Sequence, residues 1–302
     1  MKIRKMLQKT LMLGSLLLAV SQLSYGQESL FQVLAVDGSV QYKRAEEWQT
    51  LEAGASLMPQ DMIKIDGDAY LGLVHQSGHT MELSKWGTYD VGQLSKQLGQ
   101  RKREVTAKYA GLYVNSLVSG GTKPQMSVLK RSSATGRLNV YLPNSVDVFN
   151  DEVIVRWNNS GAIGERYEVK VKNMFNEVLD VIEVDSTKAR LNFNHEKISR
   201  ERMIIVSVNS KEFKDQKSND YGMKQLTPEE AAPIARELNE LKLEISGQQS
   251  ALDMLILASF YEQNSLMADA LTSYEDAIAL EPDIRAFRTA YEQFIFRNGL
   301  DN

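Results

Sequence analysis

The chain has 302 residues, of which 43% are hydrophobic and 25% charged, with formal net charge −4 and no cysteine. That length allows two or three ordinary domains, and that composition excludes a disordered or fibrous protein. The missing cysteines exclude a disulfide framework, a thiolate nucleophile, a cysteine metal site and a lipid carried on cysteine.

Lys2, Arg4, Lys5 and Lys9 precede an apolar run from Leu11 to Val20. Ser24 and Gly26 then put small residues three and one positions before a cut after Gly26. A charged head, a short apolar core and a small-residue site in that order make a secretory signal peptide over residues 1–26. The apolar run is about half the ~20 residues that span a bilayer, so a permanent anchor is the weaker reading. The expectation is an exported protein of the periplasm or outer envelope, with no transmembrane segment in the mature chain. Losing four basic residues from a chain of net charge −4 leaves −8.

Residues 27–92 read as a small all-β unit. Phe31-Val33-Ala35, Val40-Tyr42, Ile63-Ile65, Leu71-Leu73 and Met81-Leu83 show the two-residue alternation of half-buried strands. Asp37-Gly38, Asp66-Gly67 and Ser77-Gly78 supply turns between them. The run from Val36 to Leu83 resembles a FecR-type domain in Gly38-Ser39-Val40, Trp48, Leu51, Gly54, Leu57, Asp61, Ile63, Leu71-Gly72-Leu73 and Ser77-Gly78. The resemblance implies a periplasmic β domain without catalysis, acting in signalling or as a scaffold.

Residues 93–139 read as a basic helix and a linker. Leu94, Leu98, Val105, Tyr109 and Leu112 fall on one face of a single helix over 93–118, with Arg101, Lys102 and Arg103 on the other side. Gly120-Gly121 and Pro124 end it. Lys96 to Arg137 holds nine basic residues and one acid, whereas Thr227 to Asn302 holds fourteen acids and five bases. Three readings fit this asymmetry: the two segments dock on each other, the Arg101-Lys102-Arg103 run meets an anionic envelope polymer or lipid headgroups, or both faces are simply solvated. Export and the scarcity of interleaved aromatics exclude nucleic acid as the partner.

Residues 140–226 return to period two in Val153-Val155-Trp157, Tyr167-Val169-Val171, Ala189-Leu191-Phe193 and Ile204-Val206-Val208. The turn-rich Asn158-Asn159-Ser160-Gly161 and Asn173 to Asn176 lie between them, and six or seven short strands suggest a sandwich. Strand rhythm, with Trp157 ending an early strand and Tyr167 entering the next, is similar to fibronectin type III and immunoglobulin-like sandwiches.

Residues 227–302 are helical. Thr227-Pro228-Glu229-Glu230 is a capping box with proline at the first helical position, launching a helix to about Ile245 that Ser246-Gly247 stops. Helices over 250–263, 266–280 and 284–298 follow. Leu257, Ala258, Tyr261, Ala270, Tyr274, Ala277 and Pro282 stand at the spacing of a tetratricopeptide repeat, which this segment resembles. Ala258 and Ala270 are small where two helices cross, the tyrosines fill the space around the crossing, and Pro282 closes the second helix. A lone repeat cannot bury its own faces, so the helices at 228–245 and 284–298, a partner or a second copy must cover them. The resemblance implies an envelope protein partner bound through residues 227–302; a compact helical cap is the competing reading.

No nucleophile elbow, metalloprotease helix, phosphate loop or dinucleotide fingerprint is present. His75 and His79 flank Gln76-Ser77-Gly78, and a metal there needs a third ligand such as Glu82; two surface turn residues is the competing reading. His195, in Asn-Phe-Asn-His-Glu-Lys, has no evident partner. The expected protein is therefore a multidomain β plus α scaffold or adaptor without catalytic, metal or cofactor residues. Signalling of the FecR type and polysaccharide binding by the sandwich are the alternatives. The exported protein should begin at Gln27; intact-mass measurement of envelope material checks this, and an N-terminus at Met1 would leave the leader as an anchor.

Overall fold

The computed structural model describes residues 29–119, 137–158, 166–245 and 250–301. The expected leader, the breaks at Gly120-Gly121, Pro124 and Ser246-Gly247, and the Asn159-Ser160-Gly161 turn lie outside those residues. The fold is mixed: antiparallel β-sheets in the N-terminal and middle regions, helices in the C-terminal region.

Alternation in the first region produces eight short strands: β1 (Phe31–Asp37), β2 (Val40–Arg44), β3 (Glu47–Thr50), β4 (Ser56–Leu57), β5 (Met62–Ile65), β6 (Tyr70–His75), β7 (Thr80–Leu83) and β8 (Gly87–Asp90). They form two four-stranded sheets, ordered β4-β1-β6-β7 and β3-β2-β5-β8. Phe31, Val33, Leu57, Ile63, Ile65, Leu71 and Leu73 point between them into one core. Gly38 sits at φ +77° with Ala69 only 2.8 Å from where a Cβ would stand, so both backbone conformation and space require glycine there. Asp61 is buried, accepts the Met58 amide at 2.7 Å and binds the Arg44 guanidinium at 2.6 Å, tying the connection before β5 to β2.

The single helix expected over 93–118 is two. Helix α1 (Val91–Lys96) drops Val91 and Leu94 into the first core, and α2 (Glu104–Ser119) belongs to a different core. Leu94 and Leu98 face one, and Val105, Tyr109 and Leu112 the other, although their spacing is continuous. The break falls at Gln97 to Arg103, where the Arg103 amide donates to the Ser77 carbonyl at 2.7 Å. Arg101, Lys102 and Arg103 therefore lie in a non-helical connection, with Arg101 and Lys102 exposed.

The middle region holds β9 (Ser145–Val148), β10 (Glu152–Arg156), β11 (Tyr167–Lys172), β12 (Val178–Val184), β13 (Lys188–Asn192), β14 (Met203–Ser210) and β15 (Tyr221–Gln225). Five strands make one sheet, β12-β11-β14-β15-β9, and β10 pairs with β13 in a second. All pairs are antiparallel except β15 with β9. Trp157 is buried against Tyr167, ring centroids 5.3 Å apart and edge to face.

Four helices close the chain: α3 (Pro228–Glu244), α4 (Ala251–Gln263), α5 (Met267–Leu280) and α6 (Arg285–Arg297). The Thr227 hydroxyl accepts the Glu230 amide while the Glu230 carboxylate accepts the Thr227 amide, and Ser250 and Asp253 repeat the arrangement at α4. Eleven consecutive residues of α4, Ala251 to Tyr261, are buried. Leu252, Leu255, Ile256 and Phe260 are fully so. At ~1.5–3 kcal/mol each, those four side chains contribute roughly 6–12 kcal/mol, as much as the net stability of a whole domain. The neighbours that bury them come from both β regions and α2, and one continuous core joins Tyr70, Tyr109, Val153 and Phe260.

The helices are therefore not a detachable unit. Ala270→Leu should overpack the α4–α5 crossing, cost about 1–3 kcal/mol, and lower amide protection in β6 and β10 together with the helices. Hydrogen exchange checks this; loss confined to α3–α6 would show the helices opening alone.

Candidate functional site at the junction of sheets and helices

Of the residues at repeat spacing, all but Pro282 converge on this junction. Leu257, Ala258, Tyr261, Ala270, Tyr274 and Ala277 are buried, and Pro282 is exposed just beyond α5. Ala258 and Ala270 let α4 and α5 approach closely. The Tyr261 ring leans on Phe260 and Phe149, and its hydroxyl donates to Asn150 Oδ1 at 3.3 Å. Tyr274 stacks at a tilt on Phe294, and its hydroxyl accepts from Arg297 Nη2 at 2.9 Å. Arg297 is also gripped by Glu262 at 2.6 and 2.8 Å; against the lowering effect of burial, Tyr274 and Glu262 together raise its pKa and keep it charged inside the fold.

The expected covering of this helix pair needs correction. Helix α6 does pack on α5, but α3 packs on α2. Helix α4 is covered instead by α2, through Tyr109 and Phe260 at 5.0 Å, and by β6, where Leu252 fills the space beside Gly72. Helix α5 lies along β9 and β10. The chain's own sheets occupy the faces that a partner was expected to cover.

Polar side chains on α5 fix that contact. The buried Asp269 carboxylate accepts the Phe149 amide at 3.0 Å and the Asn150 amide at 2.8 Å. One turn on, Thr272 Oγ1 accepts the Ile154 amide at 2.8 Å. Buried Glu275 binds Arg156 at 2.7 Å and Lys188 at 2.9 Å, and Asp276 binds Arg190 at 2.9 Å. Burial pushes the Asp269 carboxyl up to about 6, against the pull of the two amides.

A cleft opens where β1, α2 and α6 meet. It measures about 210 Å³ and is lined by Leu34, Val36, Tyr113, Leu117, Ala286 and Ala290. At its rim Asp37 accepts the Arg285 amide at 2.7 Å and the Arg285 Nε at 3.1 Å, pinning the start of α6 to the end of β1. Sequence reasoning registered Asp37 only as a turn residue and passed over Arg285, Ala286 and Ala290. The signal available was the Ala286–Ala290 pair, four apart and small on an otherwise bulky helix.

The histidines differ from the surface turn residues they resemble in sequence. His79 is buried and His75 half-buried. His75 Nδ1 accepts the Ser77 amide at 3.1 Å and lies 2.7 Å from Ser77 Oγ, which lies 2.9 Å from His79 Nδ1. His75 Nε2 lies 2.9 Å from Ser95 Oγ. Burial lowers both imidazole pKa values; His79 adds to this for His75, and Arg103 for His79. Burial raises the Glu82 carboxyl pKa, and Glu281 and Asp253 add to this. Among the described residues no three His, Cys, Asp or Glu side chains gather to hold a metal, and His195 is exposed. Of the basic segment, Lys108 reaches the acidic helices, pairing with Glu237 at 2.6 Å. No helix among the described residues is long and apolar enough to cross a membrane.

No known family model matches this chain, and no curated protein matches it at a significant level.

Asp269 holds its proton more tightly folded than unfolded, so its carboxyl favours the fold below pH 3.8 and this advantage is lost as pH rises through about 6. Asp269→Asn removes the term. The stability of the wild type relative to the variant should fall by up to about 3 kcal/mol between pH 4 and 7. Urea unfolding across that range reads it; parallel curves would show that Asp269 does not titrate in the window.

Proposed function

We propose that this protein is an exported, non-catalytic envelope scaffold that receives a protein partner in the cleft between α6, α2 and β1, to which residues 227–302 contribute one wall. Export rests on the leader at residues 1–26. The module reading rests on three resemblances: FecR-type over the first strands, fibronectin type III or immunoglobulin-like over the middle ones, and tetratricopeptide-like over α4 and α5. The observation that carries the binding role is the cleft itself, whose walls come from three separate stretches of the chain. Such a site exists only while its walls are held together, which is what the Asp37–Arg285 contact between β1 and α6 accomplishes.

The concave face of the helix pair is filled internally, so a partner of the helical region meets the α6 side. An apolar side chain from the partner fits the cleft by size and polarity, since apolar concavities with few polar groups are where binding free energy concentrates.

Removing residues 227–302 would strip the shared core, so a point substitution is the informative probe. Ala286, half-buried in the cleft wall, is the position for it, and Ala286→Trp fills the cleft. In cross-linked envelopes, tagged wild-type protein should capture a partner that the variant recovers at least tenfold less well, about 1.4 kcal/mol of lost affinity. The two proteins should melt at the same temperature. Equal recovery of the same partner would move its site elsewhere.

A further inference from the structure

The five-stranded sheet ends on β12, which among the described residues pairs only with β11. Its seven residues, Val-Leu-Asp-Val-Ile-Glu-Val, carry no lysine and no proline; the bulge at Leu179 and the charges of Asp180 and Glu183 are what guard this edge against indiscriminate pairing. Val178 is 51% exposed and Val181 41%. Leu179, Ile182 and Val184 pack against the core, so the strand is anchored. The Val181 amide is bonded to the Asp180 carboxylate at 2.8 Å and so is not held by another strand.

The turn leading into β12 extends this surface. Asn173 is buried, and its Oδ1 accepts the Phe175 amide at 2.9 Å and the Glu177 amide at 3.0 Å, while its Nδ2 donates to Glu177 at 2.8 Å. Asn176 completes the turn at φ +67°. This network fixes Met174 and Phe175 outward, 59% and 83% exposed, at the end of the open edge. From Glu177 to Asp185 the chain has four acids and no base. Lys211 offsets Glu183 at 2.6 Å.

We propose that β12 is a docking edge for an extended segment of a partner protein in which basic and apolar residues alternate, taken up as a sixth strand. Strand addition draws affinity from main-chain hydrogen bonds and specificity from alternate side chains. A lysine or arginine of the incoming strand pairs with Asp180 and draws its carboxylate off the Val181 amide, which then donates to the new strand. Valines opposite Val178 and Val181, and an apolar residue against Phe175, cover the exposed side chains. The same acids repel a second copy of this edge, because self-pairing sets like charges along both strands. This surface is distinct from the α6 cleft and does not depend on it.

The test uses the whole mature protein and a labelled peptide of alternating valine and lysine, beside a peptide with glutamate at the lysine positions. The lysine peptide should bind saturably, protect the amides of residues 178–184 from exchange, and weaken with salt; the glutamate peptide should bind at least tenfold less well. Val181→Pro removes an amide that the β11 pairing does not use, so the sheet should survive and binding fall at least tenfold. Asp180→Lys, a milder change at the surface, should reverse the preference between the peptides. No saturable binding, equal binding of both peptides, or binding unchanged in Val181→Pro would overturn the proposal. Dimerisation of the wild type abolished by Val181→Pro would overturn it too, by assigning the edge to a second copy.

Discussion

Helix α4 has no face for water. Eleven consecutive buried residues, all apolar but Asp253 and Ser259, form a rod that is buried on every side, and a rod of that kind is stable only when enclosed. Two antiparallel helices cannot enclose each other. The remaining surface of α4 is covered by β6, by α2 and by the loop before β10, which draws both β regions onto one helix. The relative placement of the sheets follows from this enclosure and not from the linker between them.

Enclosure alone does not choose an orientation, because apolar surfaces slide. The polar contacts of α5 do choose one. Asp269 meets two consecutive backbone amides at a single place, and Glu275 meets two cations on neighbouring strands, β10 and β13. Buried ionic groups carry desolvation costs of several kcal/mol, so they add little net stability, but any other docking leaves them unpaired at far greater cost. The apolar rod supplies the attraction and the acids of α5 supply the register. Arg297, between Glu262 and Tyr274, does the same for α6.

Much of this was legible from single stretches of sequence. The alternation in Phe31 to Ala35 and Ile204 to Val208, the capping box at Thr227, and the small residues Ala258 and Ala270 each report a local rule, and each lies in an element of the expected kind. Strands β3, β4, β8, β9, β12 and β15 were not picked out by alternation. β3 is exposed along its whole length and β4 has two residues, while a bulge between Asp180 and Val178 breaks the alternation of β12. The split between α1 and α2 was hidden because Leu94, Leu98, Val105 and Tyr109 keep helical spacing while facing two different cores. The junction itself was beyond reach: Asp269, Glu275 and Arg285 look like surface residues until residues more than a hundred positions away are laid against the first two, and Asp37 against the third.

The charge asymmetry changes meaning in that light. The acid-rich segment from Thr227 to Asn302 is not a uniformly solvated face, since Glu230, Glu237, Glu275 and Asp276 bind Lys224, Lys108, Arg156 with Lys188, and Arg190. The buried Asp253 and Asp269 carboxylates accept backbone amides, of Ser250 and of Phe149 with Asn150. Much of that negative charge is directed inward, holding helices to sheets. The acids around β12 are arranged differently: they line an edge that lacks a neighbouring strand among the described residues, and the Asp180 carboxylate occupies the Val181 amide, one of those that another strand would use. Net charge by segment suggested that the helices were the acidic surface. Once internal pairing is subtracted, with Glu183 offset by Lys211 and Glu177 turned to Asn173, Asp180 and Asp185 remain beside the open edge of the five-stranded sheet, and on them rests its proposed preference for a basic strand over a copy of itself.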